Sequence, residues 1–209
     1  MKERGTAEKI AIFRRLFTGL PDTYGTYDPV SGSARQVKAP VTNKILLNHL
    51  MGRQPYGVYL LVKVRTRAIA VDFDSDNRLT VVEFVAKAKS YDIPVYVERS
   101  KSKGYHAWTF FEEQGVIAGK ARLVLRHLLS EIGEPTAEIF PKHDKLDANV
   151  QYGNFINAPL WKYHGITETP LLFKSFDYFT TYKRLQEGHK KGTLKSIHKF
   201  LQHRFFQLQ

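Results

Sequence analysis

The sequence predicts an α+β fold built on an RRM-like, split βαβ sheet, and three observations predict it. From residue 67 onward the apolar segments run strand, helix, strand, strand, helix, strand, which is the order of that motif. The strand segments are short runs rich in Val, Ile, Phe, Tyr and Trp, whereas the two helical segments are longer and carry apolar residues at helical spacing. At 209 residues, with 43% hydrophobic and 13% aromatic content, the chain can bury a substantial core, as one domain or two tightly joined subdomains.

Taken in order, Ile10, Phe13, Leu16 and Phe17 recur at helical spacing and predict a helix over residues 7–19. Residues 19–40, "GLPDTYGTYDPVSGSARQVKAP", hold too many turn formers for a regular element and read as a long surface loop. "TNKILLNHLMG" predicts a short helix capped by Thr42 and ended by Gly52. "GVYLLVKVRTRAIAV" reads as strand, and "RAIAVDFD" is the first strand of the motif. "TVVEFVAKAKSYD" is a helix opened by a capping box from Thr80 to Glu83. "PVYVERS" is the second strand, "SKGY" a turn and "HAWTFF" the third strand. "VIAGKARLVLRHLLSEIG" is the second helix, ended by Gly133, and "TAEIF" is the fourth strand.

In the usual sheet order of this motif (fourth, first, third, second) all neighbours are antiparallel. The end of the first strand then adjoins the starts of the third and fourth, which brings Asp72, Asp74, His106 and Glu138 to one edge. Alternation turns Ile69, Val71 and Phe73 toward the helices and leaves Ala68, Ala70, Asp72 and Asp74 on an open face.

The acids admit several readings. Asp72, Asp74, Asp76 and Glu83 stand at positions 1, 3, 5 and 12 of a calcium loop, but Asn77 replaces the required glycine and the incoming segment reads as strand. An acidic turn that merely ends a strand is the plainer alternative. Three carboxylates converging on one point instead call for cations between them, and oxygen donors suit two Mg²⁺ or Mn²⁺ ions in phosphoryl or nucleotidyl transfer. The neighbouring turn supplies Arg99, Ser100, Lys101, Ser102, Lys103 and His106, which are phosphate ligands by type, with Gly104 allowing close approach. Its alternative is a basic hairpin in solvent.

Composition narrows the partners. The absence of cysteine excludes disulfides and cysteine-based zinc sites. No span of about 18 apolar residues exists, and "MKERGTAEKIAIFRRLF" reads as a helix and not a signal peptide, so the expected location is the cytoplasm, with no membrane partner. A formal charge of +12 and a pI near 9.8 fit a polyanionic partner, or a basic protein with solvated lysines.

The segments "HLMGRQPYGVYLL", "AIAVDFDSD", "IPVYVERSKSKGYHAWTFF", "AEIFPKHDKL" and "YGNFINAPLW", in that order, resemble the archaeo-eukaryotic primase (AEP) superfamily. The likeness is greatest to the primase-polymerase branch of TOTE conflict systems and CRISPR-associated primase-polymerases, and spans about Phe13 to Trp161. It implies that Asp72 and Asp74 form the first metal motif, that His106 binds phosphate and that Glu138 is the third acidic ligand. It also implies that Lys142 and Asn154 lie near the nucleotide. One departure is that Gly104 occupies the serine position of the family's Ser-x-His, leaving Ser100 or Ser102 to substitute.

The implied architecture is a catalytic core over residues 1–173 and a basic helical segment over 174–209. An N-terminal αβ unit over about 1–60 and an RRM-like unit over 61–173 would form the cleft of that core. The implied activity is template-dependent joining of nucleoside triphosphates to a 3′-hydroxyl with two divalent ions, on a primer-template or single strand. Further domains or subunits of a CRISPR or conflict system are the implied partners. The rivals are a metal-dependent nuclease using the same carboxylates and a catalytically silent RRM-like module that binds single strands.

In the last segment Lys190, Lys191, Lys195 and Lys199 stand among aromatics, as a grip on nucleic-acid phosphates or as one side of helices packed on the body. If they contact phosphates, changing all four to glutamine flattens the plot of log affinity against log salt for nucleic acid. An unchanged slope removes these lysines from the binding surface.

Overall fold

The computed structural model describes residues 5–28, 30–100 and 103–161. Lys101, Ser102, the C-terminal helices expected from sequence and the four tail lysines lie outside the described residues.

The first helix, α1 (Thr6–Leu16), buries Ile10, Ile12, Phe13 and Leu16 on one side, as its spacing requires. Within the stretch expected to be a loop, β1 (Tyr24–Tyr27) and β2 (Ala34–Val37) pair as an antiparallel hairpin. The turn formers belong to its connection, where Asp28 Oδ1 accepts from the amides of Val30 and Ser31. Strands as short as "YGTY" and "ARQV" carry too little apolar alternation to register in the sequence. The next helix, α2 (Asn43–Leu50), is capped by Thr42, whose hydroxyl accepts from Ile45 N, and Gly52 follows it with φ 70°.

The apolar run after it is not one strand. It divides into β3 (Gly57–Val58), β4 (Leu61–Val62), β5 (Arg65–Thr66) and β6 (Ala68–Phe73), which enter three different sheets. A two-residue turn through Lys63, at φ 57°, reverses the chain between β4 and β5. The helix α3 (Arg78–Ser90) starts two residues before the expected box. Its cap is Asn77, whose Oδ1 accepts from Leu79 N at 3.1 Å, so Thr80 lies inside the first turn.

Next come β7 (Tyr96–Arg99), β8 (Tyr105–Phe110), β9 (Val116–Ile117), α4 (Ala118–Glu131), β10 (Glu138–Phe140) and β11 (Ile156–Asn157). Gly133, at φ 76°, follows α4. The result is a mixed α and β fold with antiparallel sheets and, among the described residues, four helices. The sheets are ordered β10-β6-β8-β7, β11-β3-β1-β2 and β4-β5-β9. None of these helices is long and apolar enough to cross a membrane.

The β10-β6-β8-β7 sheet separates two cores. On one side Ile69, Val71, Phe73, Ala107 and Ile139 pack with Val81 and Phe84 of α3 and Val124, Leu125 and Leu128 of α4. On the other side Ala68, Ala70, Trp108, Phe110 and Phe140 pack with Phe13 and Phe17 from the first helix and its end, and with Leu46 of α2. The expectation that Ala68 and Ala70 line an open face is therefore corrected: both are 0% exposed. Their small side chains make room for Trp108, which stands opposite Ala70, stacks 6.1 Å from Phe110 and meets the edge of Phe17 at 5.2 Å. Cover from the N-terminal helices ends short of Asp72.

Phe17 touches Phe13 on its own side and Trp108 and Phe110 across the seam. Phe17→Ala is expected to lower unfolding free energy by about 3–5 kcal/mol in chemical denaturation. A loss under about 1 kcal/mol would show that the seam does not depend on this ring.

Candidate functional site

Pairing along the sheet aligns four ionisable residues. Glu138 stands opposite Asp72, Asp72 opposite His106, and His106 opposite Glu98, so β10, β6, β8 and β7 each place one side chain in a single row on one face. The row lies next to the one made by Phe140, Ala70, Trp108 and Tyr96, and thus immediately beyond the apolar seam.

Inside the row His106 Nδ1 lies 2.8 Å from Glu98 Oε1, and Trp108 Nε1 donates to the same oxygen at 3.1 Å. His106 Nε2 is 3.6 Å from Asp72 Oδ1, an ion-pair distance and not a hydrogen bond. Lys142 Nζ is 2.6 Å from Glu138 Oε1 and rests over the Phe140 ring. Exposure rises along the row, from 8% of the Glu98 side chain and 6% of His106 to 23% of Asp72 and 46% of Glu138. Asp74, just past the end of β6, is exposed.

Burial pushes the Asp72 carboxyl above the usual carboxylate range. Asp74 and Glu138 add to this by repulsion, against the attraction of His106 and Lys142. Burial pulls His106 down, but its bond to Glu98 and the negative charges of Glu98, Asp72 and Asp74 prevail and hold the imidazole above its ordinary value. The row therefore sets an imidazole, its charged form favoured by its neighbours, between the acids Glu98 and Asp72, with Asp74 and Glu138 toward the open end.

The basic hairpin is divided by strand alternation. Arg99 pairs with Tyr105 on the helix side of the sheet, away from the row, and donates to Asp76 Oδ1 at 3.1 Å. Asp76 also accepts from Gly104 N at 2.9 Å, so the third aspartate pins the hairpin. That use, with Asn77 as helix cap and Glu83 inside α3, corrects the calcium-loop alternative: only Asp74 to Asn77 separate β6 from α3. Ser100 donates its amide to Gly104 O, and Lys103 is exposed. Asn154 is exposed on the approach to β11, beside Phe155, whose ring covers Gly25 and Gly57 on the other large sheet. Asp72, His106 and Glu138 are thus brought together, with Asp74 and Lys142 at the same edge, while Arg99 and Asn154 lie elsewhere.

Gly104 has φ 73°, and a Cβ there would sit 1.9 Å from Phe73 O. A serine there would strain the left-handed backbone and press on that carbonyl, so the backbone favours glycine where Ser-x-His has serine. Glu98 is the residue that the sequence reading missed. The signal was present in the alternation of "YVER", which puts Glu98 on the face of His106, but an acid in the middle of a short strand reads first as an exposed residue.

The donor set suits a hard divalent cation, since Asp72, Asp74 and Glu138 offer only oxygens and the repulsion felt by Asp72 is what a cation would relieve. As they stand they do not enclose an ion: among the described residues no three acid or histidine side chains form such a cluster, and Glu138 is engaged by Lys142.

An acid-rich sheet edge with a buried histidine and a lysine is the kind of site that handles phosphates. The sequence model of the family described as TOTE conflict system, Archaeo-Eukaryotic Primase domain matches residues 27–200, and the chain belongs to that family. Membership indicates a primase-type nucleotidyltransferase domain that binds nucleic acid and nucleotides. No protein of curated function gives a significant match.

Gly104→Ser is expected to lose about 1–3 kcal/mol of stability, because the hairpin must lift from Phe73 O and the new residue must hold a left-handed φ. Thermal unfolding measures this. A melting point equal to that of the unaltered protein would show that the close approach is readily relaxed.

Proposed function

We propose that the chain is a template-dependent DNA primase/polymerase domain that joins nucleoside triphosphates to a 3′-hydroxyl and releases pyrophosphate. The observation that carries this reading is the single row of Glu138, Asp72, His106 and Glu98, open at the Glu138 end, in a chain of the primase family. In this reading β10-β6-β8-β7 is the RRM-like catalytic sheet, and the N-terminal αβ unit forms the second wall of the cleft.

Asp72, Asp74 and Glu138 would hold Mg²⁺ or Mn²⁺. Two such ions, when bound, lower the charge of the triphosphate and the pKa of the attacking hydroxyl. His106 binds a phosphate oxygen through Nε2, the ring nitrogen not engaged by Glu98. Lys103, exposed on the hairpin, and Lys142, at the same edge as Glu138, supply further cations for the triphosphate. The positive charge of the whole chain favours association with a primer-template or single strand, outside the acidic edge. The conflict-system family makes further subunits or domains of such a system reasonable partners.

A silent single-strand binder of the RRM kind stacks bases on aromatics of the open sheet face. Here Trp108 and Phe110 on that face are buried under the N-terminal helices, and Tyr96 packs against the same core. This argues against that reading.

The direct test is incubation with primed and unprimed templates, ribo- or deoxynucleoside triphosphates, and Mg²⁺ or Mn²⁺. Extended primers are expected, and products on unprimed template would show initiation. Shortened strands without extension would establish the nuclease instead. Replacing Asp72 and Asp74 by alanine is expected to lower synthesis by about a hundredfold or more, with the circular-dichroism spectrum unchanged. Full activity in that variant would overturn the site assignment.

A further inference from the structure

We infer that Glu98 is the positioning residue for His106: its carboxylate holds the imidazole by Nδ1 and turns Nε2 toward the open end of the row, where the triphosphate binds. The inference deepens the reading of His106 proposed above and rests on it.

Three observations carry it. First, Glu98 is 6% exposed, and a carboxylate in that position is costly unless hydrogen bonds compensate it. Both of its described donors, His106 Nδ1 and Trp108 Nε1, converge on one oxygen at 2.8 and 3.1 Å. Second, the two nitrogens of an imidazole are distinct, and the bond made by one decides which way the other faces. With Nδ1 held on Glu98, Nε2 is left 3.6 Å from Asp72 Oδ1, on the side of the carboxylates and too far for a hydrogen bond.

Third, Glu98 is itself held. Trp108 is wedged against Phe17 and Phe110 in the seam between the N-terminal helices and the sheet, so its indole N–H is a fixed donor. The chain of contacts therefore runs from the apolar seam through Trp108 and Glu98 to His106. The ring is set before any ligand arrives, and no reorganisation is required on binding. Packing alone would not select a glutamate here, because an apolar side chain of similar volume fills a buried strand position without the desolvation cost.

The test compares the unaltered chain with Glu98→Ala, Glu98→Gln, His106→Ala and the double variant Glu98→Ala/His106→Ala. Each is titrated with labelled nucleoside triphosphate in Mg²⁺ and, separately, with labelled primer-template. KM for nucleotide and kcat are measured in primer extension, and thermal unfolding accompanies each variant. Glu98→Ala is expected to weaken triphosphate binding and raise the nucleotide KM by about tenfold or more. Duplex affinity is expected to change by less than about twofold. Glu98→Gln keeps an oxygen acceptor for Nδ1 and recovers most of the loss. The double variant binds triphosphate no worse than His106→Ala, because Glu98 acts only through that ring.

Additive losses in the double variant, unchanged triphosphate binding in Glu98→Ala, or a glutamine variant as impaired as the alanine one would each overturn the inference. If Glu98→Ala does not fold, Glu98→Leu, which fills the site without an acceptor, takes its place in the same comparison. If the unaltered chain binds triphosphate but extends no primer, the nucleotidyl-transfer reading fails, and the binding titrations still decide the role of Glu98.

Discussion

Register between β6 and β8 is the constraint on which the rest of this structure depends. Side chains alternate with a period of two, so a slip of β6 by one residue against β8 would send Asp72 into the core under α3 and α4 and bring Val71 to the face of His106. Burying that charge without partners would cost far more than the ladder contributes. The pairing of Ala70 with Trp108 in the neighbouring row holds the same register from the apolar side, because only a small residue leaves space for the indole against Phe17. Gly104 holds it from the other end, with its backbone set against the carbonyl of Phe73.

Given that register, the row runs from a buried end at Glu98 and His106 to an exposed end at Glu138, just beyond the part of the sheet that the N-terminal helices cover. They seal the face as far as Trp108 and Phe140 and stop before Asp72. Glu98 and His106 are deep, where a charge must be matched by a neighbour, and Glu138 is shallow, where solvent, Lys142 or a cation can match it. Negative charge in excess of the imidazole accumulates at the shallow end. A basic chain with an acidic edge favours polyanions over most of its surface and repels them at that edge.

The second large sheet shows how the C-terminal part of the described chain closes the N-terminal part. Its edge strand β11 pairs with β3, and Phe155, just ahead of β11, lies across Gly25 and Gly57, where any Cβ would fall within 2.2 Å of the ring. Tyr27 and Tyr59 flank the same ring. His49 ties the end of α2 to the same region: its Nδ1 accepts from Tyr56 N, so its Nε2–H donates to Pro159 O. The residues around 155–160 thus serve the N-terminal sheet, although more than a hundred positions separate them from its first strand.

By itself the sequence determined the four strands and two helices between residues 67 and 140, because long helical periods and aromatic or β-branched strands are local signals that burial on one face imposes; the two-residue strands β9, which takes Val116 and Ile117 from the expected second helix, and β11 are too short to give such a signal. It also determined the adjacency of Asp72, His106 and Glu138, because the order of elements leaves those strand ends together. Only the tertiary structure decided that the run from Gly57 to Val71 divides among three sheets, since an unbroken apolar run carries no mark of where it turns. It alone moved the cap of α3 to Asn77, gave Asp76 to the hairpin and put Arg99 on the far side, because short polar side chains can serve several neighbours and distance settles which. And it alone placed Glu98 against His106 and Trp108, a contact of two strands whose meaning lies in the burial of the Glu98 carboxylate, which pairing order by itself does not reveal.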